Sequence, residues 1–287
     1  MKKVFGRAHL VIAASIVVLL ATTSTAFADT AEGGADSAGP SPTSYLGVYF
    51  VPSCNPGLVY DDYFGQIGYA YNGGAAYEAP GSSYNNLTDI NDAASNHSLG
   101  HGVGPGAYFF MGGPSYAPSG TSYYNWGVDQ AYDAYVSFNN AQSATGNKYT
   151  FNFLFGDIEG NPGQYGWTSS IANNQQVWDG FYQSLQSIGV NVGVYSAPDA
   201  WNTLMGGQSV TTVEWTYEQN ADPGSPYPCP TATFSGGPGT GSAATFFDYT
   251  SVYNNLVWQW SIGSGYGDFD QINLTRWNYL FGTSYNP

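Results

Sequence analysis

Short apolar runs alternate along the chain with longer segments whose apolar residues recur every three or four positions. Residues 45–51 (YLGVYFV), 65–71 (GQIGYAY), 106–111 (GAYFFM), 149–155 (YTFNFLF), 190–195 (VNVGVY), 210–217 and 256–260 read as strands. They are rich in Val, Tyr and Phe, the residues a pleated and buried surface favours. Residues 86–98, 128–140 and 175–188 carry helical spacing, and Gly189 is placed to end the last of these by accepting positive φ. Strands alternating with helices predict parallel βαβ units, and the length predicts a single (β/α)8-type, TIM-like α/β barrel. In such barrels the residues just beyond the C-terminal strand ends form the site.

The first 28 residues depart from this pattern. Lys2, Lys3 and Arg7 precede an apolar run over 10–21, and Ala26-Phe27-Ala28 supplies the small-x-small pattern of a signal peptidase site. An export signal is expected; the alternative, a membrane anchor, has an apolar core that is short for a bilayer span. Residues 29–44 (DTAEGGADSAGPSPTS) read as a flexible linker, and 45–287 as the barrel domain. Cys54 and Cys229 are the only cysteines. In an oxidising compartment they are expected to form one disulfide, with two buried thiols as the alternative; zinc would need more ligands.

Charge narrows the partners. Three of the five basic residues lie in the leader and all twenty acidic residues follow it, so the mature chain, with two basic residues against twenty acidic, has a formal net charge of −18. Nucleic acid is excluded, since almost nothing could neutralise phosphates, and an anionic membrane surface would repel the chain. Only 9% of residues are charged and 43% are hydrophobic, which is a folding composition rather than a disordered one. A surface so poor in charge fits an acidic habitat.

Candidate chemistry gathers at one strand end. Asp157 and Glu159 directly follow the apolar run that ends at Phe155. Two residues apart on extended chain, they face the same side, with Ile158 turned away. Neighbouring carboxylates oppose joint ionisation, so one keeps its proton towards neutrality, as a group that protonates a glycosidic oxygen must. Calcium binding or helix capping are the structural alternatives; calcium draws more oxygen ligands than 161–167 offers, and capping occupies one acid. Neither metal nor organic cofactor is called for.

The segment FGDIEG resembles the Asp-x-Glu motif of the family 25 glycoside hydrolases, the Chalaropsis-type lysozymes that cleave peptidoglycan glycan strands. Other segments follow in the family's order: Gly106-Ala107-Tyr108-Phe109-Phe110 is similar to its Gly-Ala-Tyr-His-Phe strand, and Ala131 matches the helix after it. Gly193-Val194-Tyr195-Ser196 ahead of Trp201 is similar to its Tyr-Ser/Thr strand, Trp258-Gln259-Trp260 to its terminal Trp-Gln-Tyr, and Asp270-Gln271-Ile272-Asn273 to its final Asp-x-Asn. The resemblance runs from about Tyr45 to Leu280. It implies that Glu159 is the general acid, that Asp157 orients or stabilises charge on the substrate, and that Asp270 is a further site carboxylate, with Asp268 as substitute. It also implies that the substrate's acetamido group can serve as nucleophile. Tyr49, Tyr108, Tyr195, Trp258 and Gln259 are the substrate-binding candidates, because the flat C–H faces of sugars stack on aromatic rings; packing is the competing role of each.

Three positions depart from the family's pattern. Tyr49 stands where its first strand carries Asp, Tyr71-Asn72-Gly73 where its second ends in Glu-Gly, and Phe109 where its third has His. Tyr49 cannot carry charge at ordinary pH. Three functions therefore stay open: a secreted or wall-associated muramidase acting on a peptidoglycan-like glycan, a glycan-binding domain on the same barrel with impaired catalysis, or a structural coat protein. His97 and His101 lack the glutamate of a zincin helix, and 102–106 (GVGPG) lacks the lysine of a phosphate loop.

Overall fold

The computed structural model describes residues 31–37, 50–51, 58–70, 76–77, 105–144, 153–208, 210, 212–217, 255–261 and 268–273. Ten strands and three α-helices follow in the order β1 (Ala31–Ser37), β2 (Phe50–Val51), β3 (Leu58–Tyr69), β4 (Ala76–Tyr77), β5 (Pro105–Phe110), α1 (Tyr123–Ala144), β6 (Leu154–Asp157), α2 (Ile171–Ser187), β7 (Val192–Ser196), α3 (Pro198–Met205), β8 (Val213–Tyr217), β9 (Asn255–Ser261) and β10 (Asp268–Asn273). From β3 through β5, β6, β7 and β8 to β9 every neighbouring pair is parallel. β10 joins β9 antiparallel, and β1 then pairs with β10 on one side and with β3 on the other, which closes the sheet on itself. The result is an irregular, TIM-like α/β barrel with one reversed strand, as the alternating pattern predicts in outline.

Period-two alternation divides the side chains between two cores. Phe64, Tyr108, Phe155, Tyr195, Val213, Trp215 and Val257 fill the barrel interior. Trp215 lies at its centre, with ring centroids 4.9 Å from Phe64, 5.4 Å from Phe155 and 4.8 Å from Tyr195. Gly193 makes room for that filling, since a Cβ there would meet Phe155 Cδ1 at 2.4 Å. The outward residues Ala107, Phe109, Leu154, Ile158 and Val194 pack instead with Trp126, Val177, Trp178 and Phe181 of the helices. Burying each large side chain contributes roughly 1.5–3 kcal/mol.

The helices approach through glycine. A Cβ on Gly127 of α1 would lie 2.1 Å from Val177 O, and one on Gly180 of α2 would lie 2.1 Å from Tyr124 O. Both contacts are with backbone, which cannot swing aside. Gly180→Ala is therefore expected to destabilise the protein by about 1–3 kcal/mol despite alanine's better helix propensity. Urea unfolding of the two proteins measures it; an unchanged midpoint would mean that the helices are free to separate.

Several expectations are corrected. The stretch read as a flexible linker contains β1, so the barrel begins at Ala31 rather than at Tyr45. AEGGADS has low strand propensity, but two backbone partners, β10 and β3, outweigh it. α1 begins at Tyr123, where Ser122 Oγ accepts from Asn125 N at 3.2 Å, five residues ahead of the first periodic position. β6 runs on to Asp157 because Asp157 is in register with both Phe110 and Tyr195. α3 and β10 have no counterpart in the apolar pattern. α2 ends as expected, with Gly189 at φ 82°. The helix expected over 86–98, most of the strand expected over 45–51, the leader, and Cys54 and Cys229 lie outside the described residues.

Candidate active site

β6 delivers the two acids to the mouth of the barrel. Asp157 O accepts from Met111 N, and Ile158 N donates to Tyr195 O, both at 2.9 Å, so the chain stays extended past the strand's last residue. Ile158 is buried outward in the helix-facing core. Asp157 and Glu159 share the other side, as their spacing requires. They differ in depth: Asp157 is 2% exposed, whereas Glu159 is half-buried and lines an open cavity.

That cavity holds about 320 Å³, within the range of small-molecule sites. Glu159 and Gly160 follow β6, Tyr195 ends the interior face of β7, Tyr217 ends β8 and Gln259 lies on β9; Ala197 and Ala200 complete the lining. Tyr195 OH donates to Gln259 Oε1. The site thus occupies the C-terminal ends of consecutive parallel strands.

Burial pushes the Asp157 carboxyl well above its ordinary range, and the neighbouring Glu159 charge adds to the shift. Asp157 Oδ1 has no hydrogen-bond partner. No lysine or arginine occurs among the described residues. A carboxylate there would be neither solvated nor paired, and protonation is the remaining way to relieve it. Burial, and then the Glu159 charge, thus favour the protonated form of Asp157.

Asp270 is fully buried on β10, and its Oδ1 accepts from Trp215 Nε1 at 2.9 Å. Asp157 is in register with Tyr195, and Tyr195 with Trp215, on neighbouring strands. Asp270 does not line the cavity. Tyr108 sits lower in the barrel, 5% exposed and edge-on to Trp215, and does not line this cavity. Trp258 belongs to β9, but its side chain, like all of Tyr49, lies outside the described residues; so does the Asp268 side chain. Sequence reasoning passed over Tyr217 and Trp215. Tyr217 was within reach as the last residue of an expected strand on the parity of the buried Trp215. Glu214, also buried, alternates to the opposite face.

No family model matches the chain, and no curated protein matches it. Solved structures do. The spore cortex lytic enzyme SleM of Clostridium perfringens is similar over 85% of this chain and 67% of its own, with a TM-score of 0.51 and 13% identity. A family GH25 lysozyme from Aspergillus fumigatus matches 88% of this chain and 99% of its own, with a TM-score of 0.49 and 16% identity. The catalytic domain of endolysin ply40 from bacteriophage P40 of Listeria monocytogenes matches 88% and 98%, with a TM-score of 0.49 and 14% identity. Neighbours across most of the chain are thus GH25 lysozymes and muramidases and endolysins; the irregular TIM-like barrel itself rests on the strand closure described above, and SleM shares its overall fold.

Proposed function

We infer that this chain is an exported glycoside hydrolase of the lysozyme type, cleaving a peptidoglycan-like glycan by carboxylate acid catalysis. The observation that carries this reading is Glu159 facing a sugar-sized cavity with Asp157 buried beside it on one strand end. SleM, to whose fold this chain's is similar, is named a spore cortex lytic enzyme, which supports the reading.

Glu159 is the acid that reaches substrate. A sugar filling the cavity displaces water from Glu159, and that desolvation favours its protonated form. Glu159 then gives the pair's proton to the glycosidic oxygen as the C–O bond breaks. Positive charge develops on the sugar ring while the pair becomes fully ionised, so Asp157 stabilises that charge when it is largest. The acetamido oxygen of an N-acetylated sugar closes on the anomeric carbon, and water opens that intermediate while returning a proton to Glu159. Asp270 holds Trp215, and through it Tyr195, in place.

One observation favours a second reading, a glycan-binding domain on the same barrel: of the described acids Asp157, Glu159 and Asp270, Glu159 alone lines the cavity. Incubating the mature protein with purified cell-wall sacculi between about pH 4 and 8 separates the two. New reducing ends are expected, fewer as the pH rises and the pair loses its proton. Sacculus binding with no reducing ends at any pH would replace the hydrolase with the binding domain.

A further inference from the structure

The loop after Glu159 holds a feature that the cavity does not use. Gly160, Gly163 and Gly166 all adopt positive φ, and so does Tyr165, at 50°. Glycine meets that backbone demand without strain, whereas a tyrosine there carries a steric cost. The strain is held in place by the turn before α1. Gly113 N donates to Tyr165 O and Ser115 N to Gly166 O, both at 2.9 Å. The conformation aims the tyrosine ring at the site: a Cβ on Gly160 would lie 2.9 Å from Tyr165 Cδ2. The residue remains 38% exposed. Phe110, the last residue of β5 and in register with Asp157, braces it edge-on at 5.0 Å and 74°.

Topology gives this pair its position. The cavity extends from Glu159 towards β7, β8 and β9, whereas Phe110 and Tyr165 flank Glu159 on the β5 side. A glycan strand crossing Glu159 from the cavity therefore meets the tyrosine ring next. We propose that Tyr165, braced by Phe110, is a second sugar subsite, a stacking platform for the pyranose ring across the cleaved bond from the cavity. This deepens the hydrolase reading and rests on it for the path of the chain; the ring's own affinity for a pyranose does not depend on cleavage.

Tyr165→Gly removes the ring and relieves the backbone, so its melting temperature should equal or exceed that of wild type. Tyr165→Asn, which also accepts this backbone region, is the second ring-less variant, and Tyr165→Phe keeps the ring. Affinity for an N-acetylglucosamine hexamer and for solubilised glycan strands is measured by calorimetry, alongside KM and kcat for reducing-end release. Loss of an exposed aromatic anchor predicts roughly tenfold weaker binding and a similar rise in KM for the ring-less variants, with Tyr165→Phe near wild type. Cleavage by wild type with unchanged affinity and KM in Tyr165→Gly and Tyr165→Asn overturns the platform and leaves the hydrolase standing. Ring-dependent binding without cleavage overturns the hydrolase and supports the platform. Wild type that neither binds nor cleaves either probe overturns both.

Discussion

Glu159→Gln is expected to lose glycan cleavage by roughly 10²–10⁴-fold, the usual contribution of a positioned general acid. Glutamine has the same shape and fills the same wall of the cavity, so sacculus binding should stay within a few-fold of wild type. The loss should fall on kcat, because the proton is needed only as the bond breaks. Reducing-end release under saturating substrate is the measurement. A variant that keeps more than about a tenth of wild-type kcat would remove Glu159 from its role, and with it the acid mechanism built on this cavity.

Asp157→Asn is expected to change stability as much as activity. In the unfolded chain Asp157 titrates near an ordinary aspartate, whereas in the folded protein burial, then the Glu159 charge, raise it well above that. Between those two values the native state binds the extra proton, so stability is greatest in acid and falls as pH rises through the window. The slope is at most about 1.4 kcal/mol per pH unit for one proton. Asp133 and Asp179 are raised mainly by burial and slope the same way, though both are partly exposed and solvent screens them. Asparagine cannot ionise. The variant should therefore lose most of the slope and melt above wild type at pH 7, while its cleavage falls through the missing charge under the sugar. Melting temperature across about pH 4–8 tests this; a wild-type protein that grows steadily less stable below neutrality would reverse the sign and refute both the protonated Asp157 and the acidic habitat.

Much of the barrel is legible along the chain where burial is one-sided. β5, β6 and β7 alternate between an aromatic interior and a helix-facing exterior, and each is found within a few residues of its apolar run. The same alternation predicts that Asp157 and Glu159 face one side, which the burial of Ile158 bears out. β1 escapes because AEGGADS has no apolar face to read, and what holds it is backbone pairing to residues remote in sequence. β10 escapes because DFDQIN interleaves acids with apolar residues, and its Asp270 is tolerated inside through a partner, Trp215, on another strand. Depth is likewise invisible locally. Nothing in FGDIEG says that one carboxyl is sealed and the other open; the strands on either side decide it. Tyr165 shows the same limit, since its backbone geometry is held by a turn just over fifty residues earlier in the chain.

The seam between β1 and β10 also sets the order in which the molecule can be completed. The strand made first among those described waits for the strand made last, so a growing chain carries two open strand edges from the making of one until the making of the other. Contacts spanning that much sequence form late and slowly. Until they do, the aromatic filling is not enclosed, and anything that binds extended, unfinished chain has its longest opportunity at this join.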